Sequence, residues 1–157
     1  MRASVLCCFT RIDPRVTRAL GPAEYVGVSG DPLDYWRAID RRWTGAVPLV
    51  VVEHDVEVGP LTVPGLIGCD EPWCTVPYPV WTGSQSHYTR ALGCAKFAPR
   101  LQQYVPAAAF AGRWQHLADY ISELFGELGI PHHLHDDPVS HHHKEPRCQR
   151  SGHFTQP

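Results

Sequence analysis

The feature that most constrains the fold is an apolar run that ends abruptly in charged residues. Residues 48–58 read PLVVVEHDVEV, so Leu49–Val52 leads directly into Glu53, His54 and Asp55. A short, uninterrupted apolar run predicts a strand buried on both faces, as in a parallel sheet covered by helices. Ligand sites in such sheets lie at the carboxyl ends of the strands, where this charged triplet falls.

The residues before this run alternate between strand and helix patterns. Residues 3–9 and 24–29 are predicted strands, residues 15–20 a brief helix, and residues 32–43 an amphipathic helix. This alternation predicts an α/β fold with a mixed, mostly parallel sheet flanked by helices.

The second half of the chain is less regular. Residues 59–90 are rich in Pro, Gly and Trp and show no helical period, whereas residues 91–97 look like another strand and residues 99–104 like a brief helix. Residues 113–128 have the clearest helical period, and their predicted apolar face consists of Leu117, Tyr120, Ile121, Leu124 and Leu128.

Composition limits the class of protein. With 157 residues, 43% of them hydrophobic, we expect one domain over residues 1–143 and a mobile tail over residues 144–157, which have little to bury. The net charge of −2 argues against binding of nucleic acid by bulk electrostatics. No run of about 18 apolar residues and no secretory signal are evident, so we expect a cytoplasmic protein with no membrane partner.

The six cysteines do not suggest a metal site by their spacing. None forms a CxxC pair, and Cys69 and Cys74 are separated by four residues without a second pair. We therefore expect all six to be structural or incidental thiols.

The triplet Glu53, His54 and Asp55 is the first candidate for chemistry. Two carboxylates two residues apart point the same way if the strand geometry persists, and two close negative charges favour a cation between them. Carboxylate oxygens are ligands that Mg²⁺ and Mn²⁺ prefer. The alternative is a polar strand end that simply meets water.

Histidines form the second candidate. Six of the ten lie within twelve residues after the long helix: His132, His133, His135, His141, His142 and His143. Imidazole is the commonest side-chain ligand for transition metals, so one or two of these are expected to bind metal. The alternative is a solvated tract.

Arginines near the strand ends are the third candidate. Arg11 and Arg37 could pair with phosphate through their guanidinium groups, although such arginines are more often solvated. The sequence contains no Walker A and no GxGxxG motif, so the common phosphate-loop and dinucleotide folds are not indicated.

The order of these motifs resembles a known family. VVVEHDV, preceded by SGDPLDYW and followed by PWCTVPYPVW, ALGCAKF and HLHDDPVSHHH, resembles small GT-A-type glycosyltransferases, and compact versions from bacteriophages of actinobacteria in particular. The resemblance covers residues 3–143. It implies a Rossmann-like, GT-A-like fold that binds a nucleotide-sugar donor with Mn²⁺ or Mg²⁺.

The resemblance also implies roles for individual residues. Glu53-His54-Asp55 stands in the place of the family's Asp-x-Asp metal motif, with Asp55 as the direct ligand and Glu53 one methylene longer than the family's aspartate. A late histidine, His141 or His143, would complete the metal site. Thr10 and Arg11 stand where the family binds the nucleotide, and Gly93 stands in the strand that borders its acceptor site. Together with Ser29, Arg37, Glu53 and His54 from the strand ends and the arginines, they are the predicted donor-binding positions. Asp119 stands near the family's catalytic carboxylate.

Three functions are consistent with these observations. The first is a metal-dependent glycosyltransferase that moves a sugar to an acceptor hydroxyl, which the bacteriophage resemblance suggests is a hydroxymethylated DNA base. The second is a zinc-dependent hydrolase built on the histidine cluster. The third is a non-enzymatic nucleotide-binding phage accessory protein on the same fold. The sequence does not indicate an oligomeric state.

Overall fold

The structure is a computed structural model that describes residues 2–29, 33–82, 85–89, 92–110 and 117–142. Its strands are β1 (Ser4–Phe9), β2 (Glu24–Gly27), β3 (Leu49–Val52), β4 (Val56–Val58), β5 (Trp73–Thr75), β6 (Tyr78–Thr82), β7 (Gln85–Thr89), β8 (Cys94–Phe97), β9 (His132–Leu134) and β10 (Val139–His141). Its helices are α1 (Pro14–Leu20), α2 (Asp34–Asp40), α3 (Thr62–Gly68), α4 (Pro99–Tyr104), a 3₁₀ helix (Ala107–Phe110) and α5 (Leu117–Glu127).

Six strands form one mixed sheet in the order β2-β1-β3-β8-β5-β9. The pairs β1–β2, β1–β3 and β5–β9 are parallel, and β8 runs antiparallel to both β3 and β5. Two small sheets, β4–β10 and β6–β7, lie beside it. Because β1, β3 and β5 run in the same direction, their carboxyl ends lie at one edge of the sheet.

A hydrophobic cluster covers each face of this sheet. Strands alternate side chains between faces, so Leu49 and Val51 belong to one cluster, and Val50 and Val52 to the other. The first cluster is closed by α2, α4 and α5, and the second by α1 and α3. All four residues of β3 are fully buried, as their uninterrupted apolar run predicts.

The α/β fold with a mostly parallel sheet flanked by helices is therefore confirmed. Strands predicted over residues 3–9, 24–29 and 91–97 are present with somewhat shorter bounds. The helix predicted over residues 15–20 begins one residue earlier, and the helix over residues 99–104 has the predicted bounds. Helix α2 is shorter than the predicted 32–43, and residues 30–32 lie outside the described ones.

One prediction was wrong between residues 59 and 90, where a helix was not expected. Helix α3 has the sequence TVPGLIG, which offers a Pro, two Gly and no helical period. Its proline stands in the first turn, where the backbone N–H of a residue has no partner within the helix, and the helix buries its own Thr62 and Leu66. Burial against the sheet therefore outweighs a poor intrinsic propensity.

The predicted apolar face of the last long helix needs a second correction. The side chains that α5 buries are Leu117, Ile121 and Phe125, whereas Leu128 is 42% exposed. Tyr120 and Leu124 are partly buried and pack against the same cluster, so the prediction holds for four of its five residues. Leu128 follows the last residue of α5, and Phe125 is the buried residue that the prediction left out. The first residues of the predicted helix, 113–116, and the predicted tail, 144–157, lie outside the described residues.

None of the helices in the described ranges is long and apolar enough to span a membrane.

Candidate functional site

The charged triplet after β3 is held in a tight turn. The Glu53 amide donates to the Gly93 carbonyl oxygen at 2.8 Å, which extends the β3–β8 ladder by one residue. The Val56 amide then donates to the Glu53 carbonyl oxygen at 3.1 Å, and β4 begins at Val56. Both carboxylates are therefore attached to a fixed backbone at the edge of the sheet.

A late histidine reaches this turn through a separate strand pair. Strand β10 runs antiparallel to β4 in a register that places His141 opposite Val56. The His141 Nε2 lies 3.2 Å from the Asp55 Oδ2, and the two side chains are only 7% and 16% exposed. The ladder continues beyond β10, because the His142 amide donates to the Asp55 carbonyl oxygen at 2.8 Å.

Glu53 is the second carboxylate of the site, and a tyrosine fixes its position. The Tyr78 hydroxyl donates to the Glu53 Oε2 at 2.7 Å, and the Tyr78 ring lies 4.9 Å from the His141 ring. Burial raises the pKa of Glu53, the Tyr78 hydrogen bond opposes this rise, and the negative charge of Asp55 adds to it. A cation between the carboxylates would relieve both the burial and the repulsion.

These groups line a common cleft. Its volume is about 480 Å³, within the range of small-molecule sites. Six of the residues predicted from the sequence contribute to its wall: Thr10, Glu53, His54, Asp55, Gly93 and His141. A second cleft of about 450 Å³ shares His54 and Asp55 with the first and adds Arg11 and His142.

Two predicted donor-binding residues are engaged elsewhere. The Ser29 amide donates to the Asp34 Oδ2 at 3.0 Å, and the Arg37 Nη1 donates to the Asp34 Oδ1 at 3.2 Å. The Ser29 hydroxyl also donates to Asp34, and these hydrogen bonds lower the pKa of the Asp34 carboxyl. Ser29 and Arg37 thus hold the start of α2, and their roles toward a donor stay predictions.

Asp119 is not among the described residues that line the cleft. Asp119 is exposed in the first turn of α5, and within the described part of the chain its neighbour Ala118 lines the cleft instead. His143 lies outside the described residues. The catalytic assignment of Asp119 and the metal assignment of His143 stay predictions.

The remaining late histidines have separate partners. His132 stacks on Trp73 with ring centroids 3.7 Å apart, and its Nε2 lies 2.7 Å from the Thr75 hydroxyl oxygen. The His142 Nε2 lies 2.6 Å from the Glu57 Oε2. His133 and His135 lie side by side, with ring centroids 4.8 Å apart. The late histidines that the structure describes therefore do not form one cluster.

Two tyrosines of the site were missed from the sequence. Tyr35 and Tyr78 both line the cleft, and the Tyr35 hydroxyl is buried without a hydrogen-bond partner among the described residues. Burial, reinforced by the charge of Glu53, raises the pKa of Tyr35 well above its ordinary value. The hydroxyl therefore keeps its proton and can donate a hydrogen bond to a ligand. Their spacing offered no signal, because aromatic side chains in apolar segments usually belong to a core.

Gly93 is required by the path of Tyr78. A Cβ at position 93 would lie 1.6 Å from the Tyr78 Oη and 2.2 Å from its Cζ, so the tyrosine passes directly over the glycine to reach Glu53. The close approach involves the stiff ring of a buried residue, which cannot move aside without leaving Glu53.

We therefore expect Gly93→Ala to disrupt the site. Overpacking of this kind costs about 1–3 kcal/mol, and Glu53 would lose its hydrogen bond as well. The matched control is Gly126→Ala in α5, where an added Cβ meets no atom within 4 Å. Thermal unfolding of both variants checks this, and an equal melting temperature for the two would contradict it.

No protein-family model matches the chain, and no curated protein matches it either. Among solved structures, the chain is similar to the one described as "Crystal Structure of A197 from STIV". The identity is 12%, the match covers 74% of this chain and 78% of that chain, and the TM-score is 0.52. At this identity the likeness concerns the fold alone.

Proposed function

We propose that this protein is a metal-dependent glycosyltransferase with a GT-A-like fold, which uses the cleft at the carboxyl end of β3 to bind a nucleotide-sugar donor. The observation that carries the proposal is the pairing of Asp55 with His141 at 3.2 Å, next to the partly buried carboxylate of Glu53. The resemblance of the sequence to GT-A enzymes implies this combination of a carboxylate motif and a late histidine.

The proposal of a hard divalent cation rests on the chemical type of the donor atoms. Two carboxylates, Glu53 and Asp55, and two imidazoles, His54 and His141, line the same cleft. The set proposed to face the ion, Asp55 and His141 with Glu53 beside them, has more oxygen than nitrogen donors and suits Mn²⁺ or Mg²⁺ better than zinc. Asp55 and His141 would hold the ion, with Glu53 beside them. When bound, the ion supplies Lewis-acid stabilisation of a leaving diphosphate.

The surroundings of the triplet suit a nucleotide sugar. Thr10 follows β1 at the same sheet edge, and Arg11 in the adjoining cleft offers a guanidinium for phosphate. The Tyr35 hydroxyl offers a buried hydrogen bond to a polar ligand. In an inverting reaction, a carboxylate such as Asp119 would accept the proton of the acceptor hydroxyl.

A binding screen tests the function directly. Thermal shifts are measured with a panel of nucleoside diphosphates and nucleotide sugars, each with Mn²⁺, Mg²⁺, Zn²⁺ or a chelator. We expect stabilisation by a subset of nucleotides only when Mn²⁺ or Mg²⁺ is present, followed by release of nucleoside diphosphate when an acceptor is added. DNA containing hydroxymethylated bases is the first acceptor to try.

Other outcomes of the screen support the other functions. Nucleotide binding without any turnover across the acceptors would support a non-enzymatic nucleotide-binding protein. Hydrolysis that depends on Zn²⁺ alone would support the zinc hydrolase. An absence of any nucleotide response would overturn the proposal.

Neighbouring histidines provide a matched pair of variants. We expect His141→Ala to weaken Mn²⁺ binding by about 10- to 100-fold or more. Removing a residue that only hydrogen-bonds to a metal ligand commonly costs this much, so removing a ligand should cost at least as much. His142→Ala removes the same side chain from a residue whose Nε2 faces Glu57, and we expect little change. Mn²⁺ titrations measure both, and equal effects would argue against His141 as a ligand.

A further inference from the structure

A second group of metal-ligating side chains lies apart from the triplet. Cys69, His133 and His135 each present a ligand atom, and these three atoms lie within 4.8 Å of one another. The group shares no residue with Glu53, Asp55 and His141. The cysteine is far from the histidines in sequence, so only the fold brings them together.

The fold holds this group through the edge of the large sheet. His133 stands opposite Cys74 in the β5–β9 register, and the His135 amide donates to the Thr75 carbonyl oxygen at 2.8 Å. Because side chains alternate along an extended segment, His133 and His135 point to the same face. Cys69 follows directly after α3 and approaches that face from the loop that leads to β5.

The backbone around Cys69 is fixed by a buried lysine. Lys96 is 1% exposed, and its Nζ donates to the carbonyl oxygens of Cys69 at 2.8 Å and Glu71 at 2.5 Å. The same ammonium interacts with the Cys74 side chain, so Lys96 fixes the segment between α3 and β5 that begins at Cys69.

His135 is oriented as histidine ligands usually are. Its Nδ1 lies 3.5 Å from the Asp137 Oδ2, while its Nε2 is buried and has no hydrogen-bond partner among the described residues. Metal-binding histidines commonly turn one ring nitrogen to a carboxylate, which leaves the other nitrogen to the metal. A buried ring nitrogen without a partner is costly unless a ligand fills the position.

We propose that Cys69, His133 and His135 form a zinc site that ties β9 to the loop after α3. One thiolate and two imidazoles are the soft and borderline donors that zinc prefers, and a water molecule would complete a tetrahedral set. The Cys74 thiol donates to the Cys69 sulfur at 2.8 Å and acts as its hydrogen-bonding neighbour rather than as a ligand. The proposal is independent of the glycosyltransferase function.

Metal titration of the full chain tests this site. Apoprotein kept under a reductant that does not bind metal is titrated with Zn²⁺ against a chromophoric chelator, and with Co²⁺ to detect thiolate coordination. We expect one tight Zn²⁺ site, a thiolate-to-cobalt charge-transfer band, and a rise of several degrees in melting temperature with Zn²⁺, since metal bound only by the folded state stabilises it.

Three variants identify the ligands. Cys69→Ser should abolish the charge-transfer band, and His133→Ala, a change at an exposed residue that should fold normally, should weaken Zn²⁺ binding by about 100-fold or more. His142→Ala is the matched control, because it removes an imidazole from the same tract but outside the group, and it should leave the affinity unchanged. Asp55→Asn should also retain this zinc site, which separates it from the triplet.

Several results would overturn the proposal. They are Zn²⁺ binding that His142→Ala weakens as much as His133→Ala does, a cobalt spectrum without a thiolate band, and a Cys69–Cys74 disulfide with no zinc binding after reduction. A charge-transfer band that survives Cys69→Ser but disappears in Cys74→Ser would also overturn the ligand set.

Discussion

Replacing Asp55 with asparagine is expected to abolish Mn²⁺-dependent nucleotide binding while leaving the protein folded. The carboxylate follows β3 in a turn and belongs to neither hydrophobic cluster, so its loss leaves no cavity. Asparagine keeps the shape but removes the charge that pairs with His141 and would hold the cation. We expect the affinity for a nucleoside diphosphate with Mn²⁺ to fall by about 100-fold or more, measured by calorimetry.

Glu57→Gln is the matched control for Asp55→Asn. Glu57 is a carboxylate two residues further along, it accepts from His142, and its side chain is 38% exposed. A charge removed there should change nucleotide affinity little, because an exposed pair contributes about 0–1 kcal/mol. Unchanged nucleotide binding by Asp55→Asn, or equal losses in the two variants, would show that Asp55 does not hold the cation.

The site residues that could be predicted from the sequence are those that directly follow a buried strand. Glu53, His54 and Asp55 were found because four apolar residues lead directly into them, and that pattern reports both burial and position. Thr10 was found by the same rule at the end of β1. The structure places all four beside one cleft.

His141 could be named as a metal ligand only through the family resemblance. The alternation of side chains shows which histidines lie on the same side of a strand, but not which residues lie opposite them. The contact with Asp55 depends on the register between β10 and β4, two strands separated by about eighty residues. Register between distant strands is set by packing and turns rather than by a local motif. The same limit explains why Tyr78, which reaches Glu53 over Gly93, was not predicted.

The cysteines show the limit of spacing rules most clearly. Cys69 and Cys74 were expected to be incidental thiols because their separation fits no zinc motif. The fold instead brings Cys69 to His133 and His135, from a strand at the other end of the chain. A spacing motif detects ligands that lie close together in the sequence, whereas the proposed zinc site combines Cys69 with His133 of β9 and with His135, one residue after that strand.

The largest effect on stability is expected from Phe125→Ala. Phe125 is fully buried on α5 and packs edge-to-face against Trp73, with ring centroids 5.1 Å apart. It also makes edge-to-face contacts with Phe97 and Phe110, with ring centroids 6.2 Å apart in each pair, so it joins α5 to the sheet and to the 3₁₀ helix. Truncation of such a phenylalanine removes about 3–5 kcal/mol from the free energy of unfolding.

Leu128→Ala distinguishes this central role of Phe125 from a general effect of apolar residues in the segment. The hydrophobic pattern places Leu128 on the buried face, whereas the structure leaves it 42% exposed after the end of α5. A change at such a surface position usually stays within about 0.5 kcal/mol. Chemical denaturation measures the free energy of unfolding of both variants. A large decrease for Leu128→Ala would mean that α5 continues past Glu127 and turns a different face to the sheet.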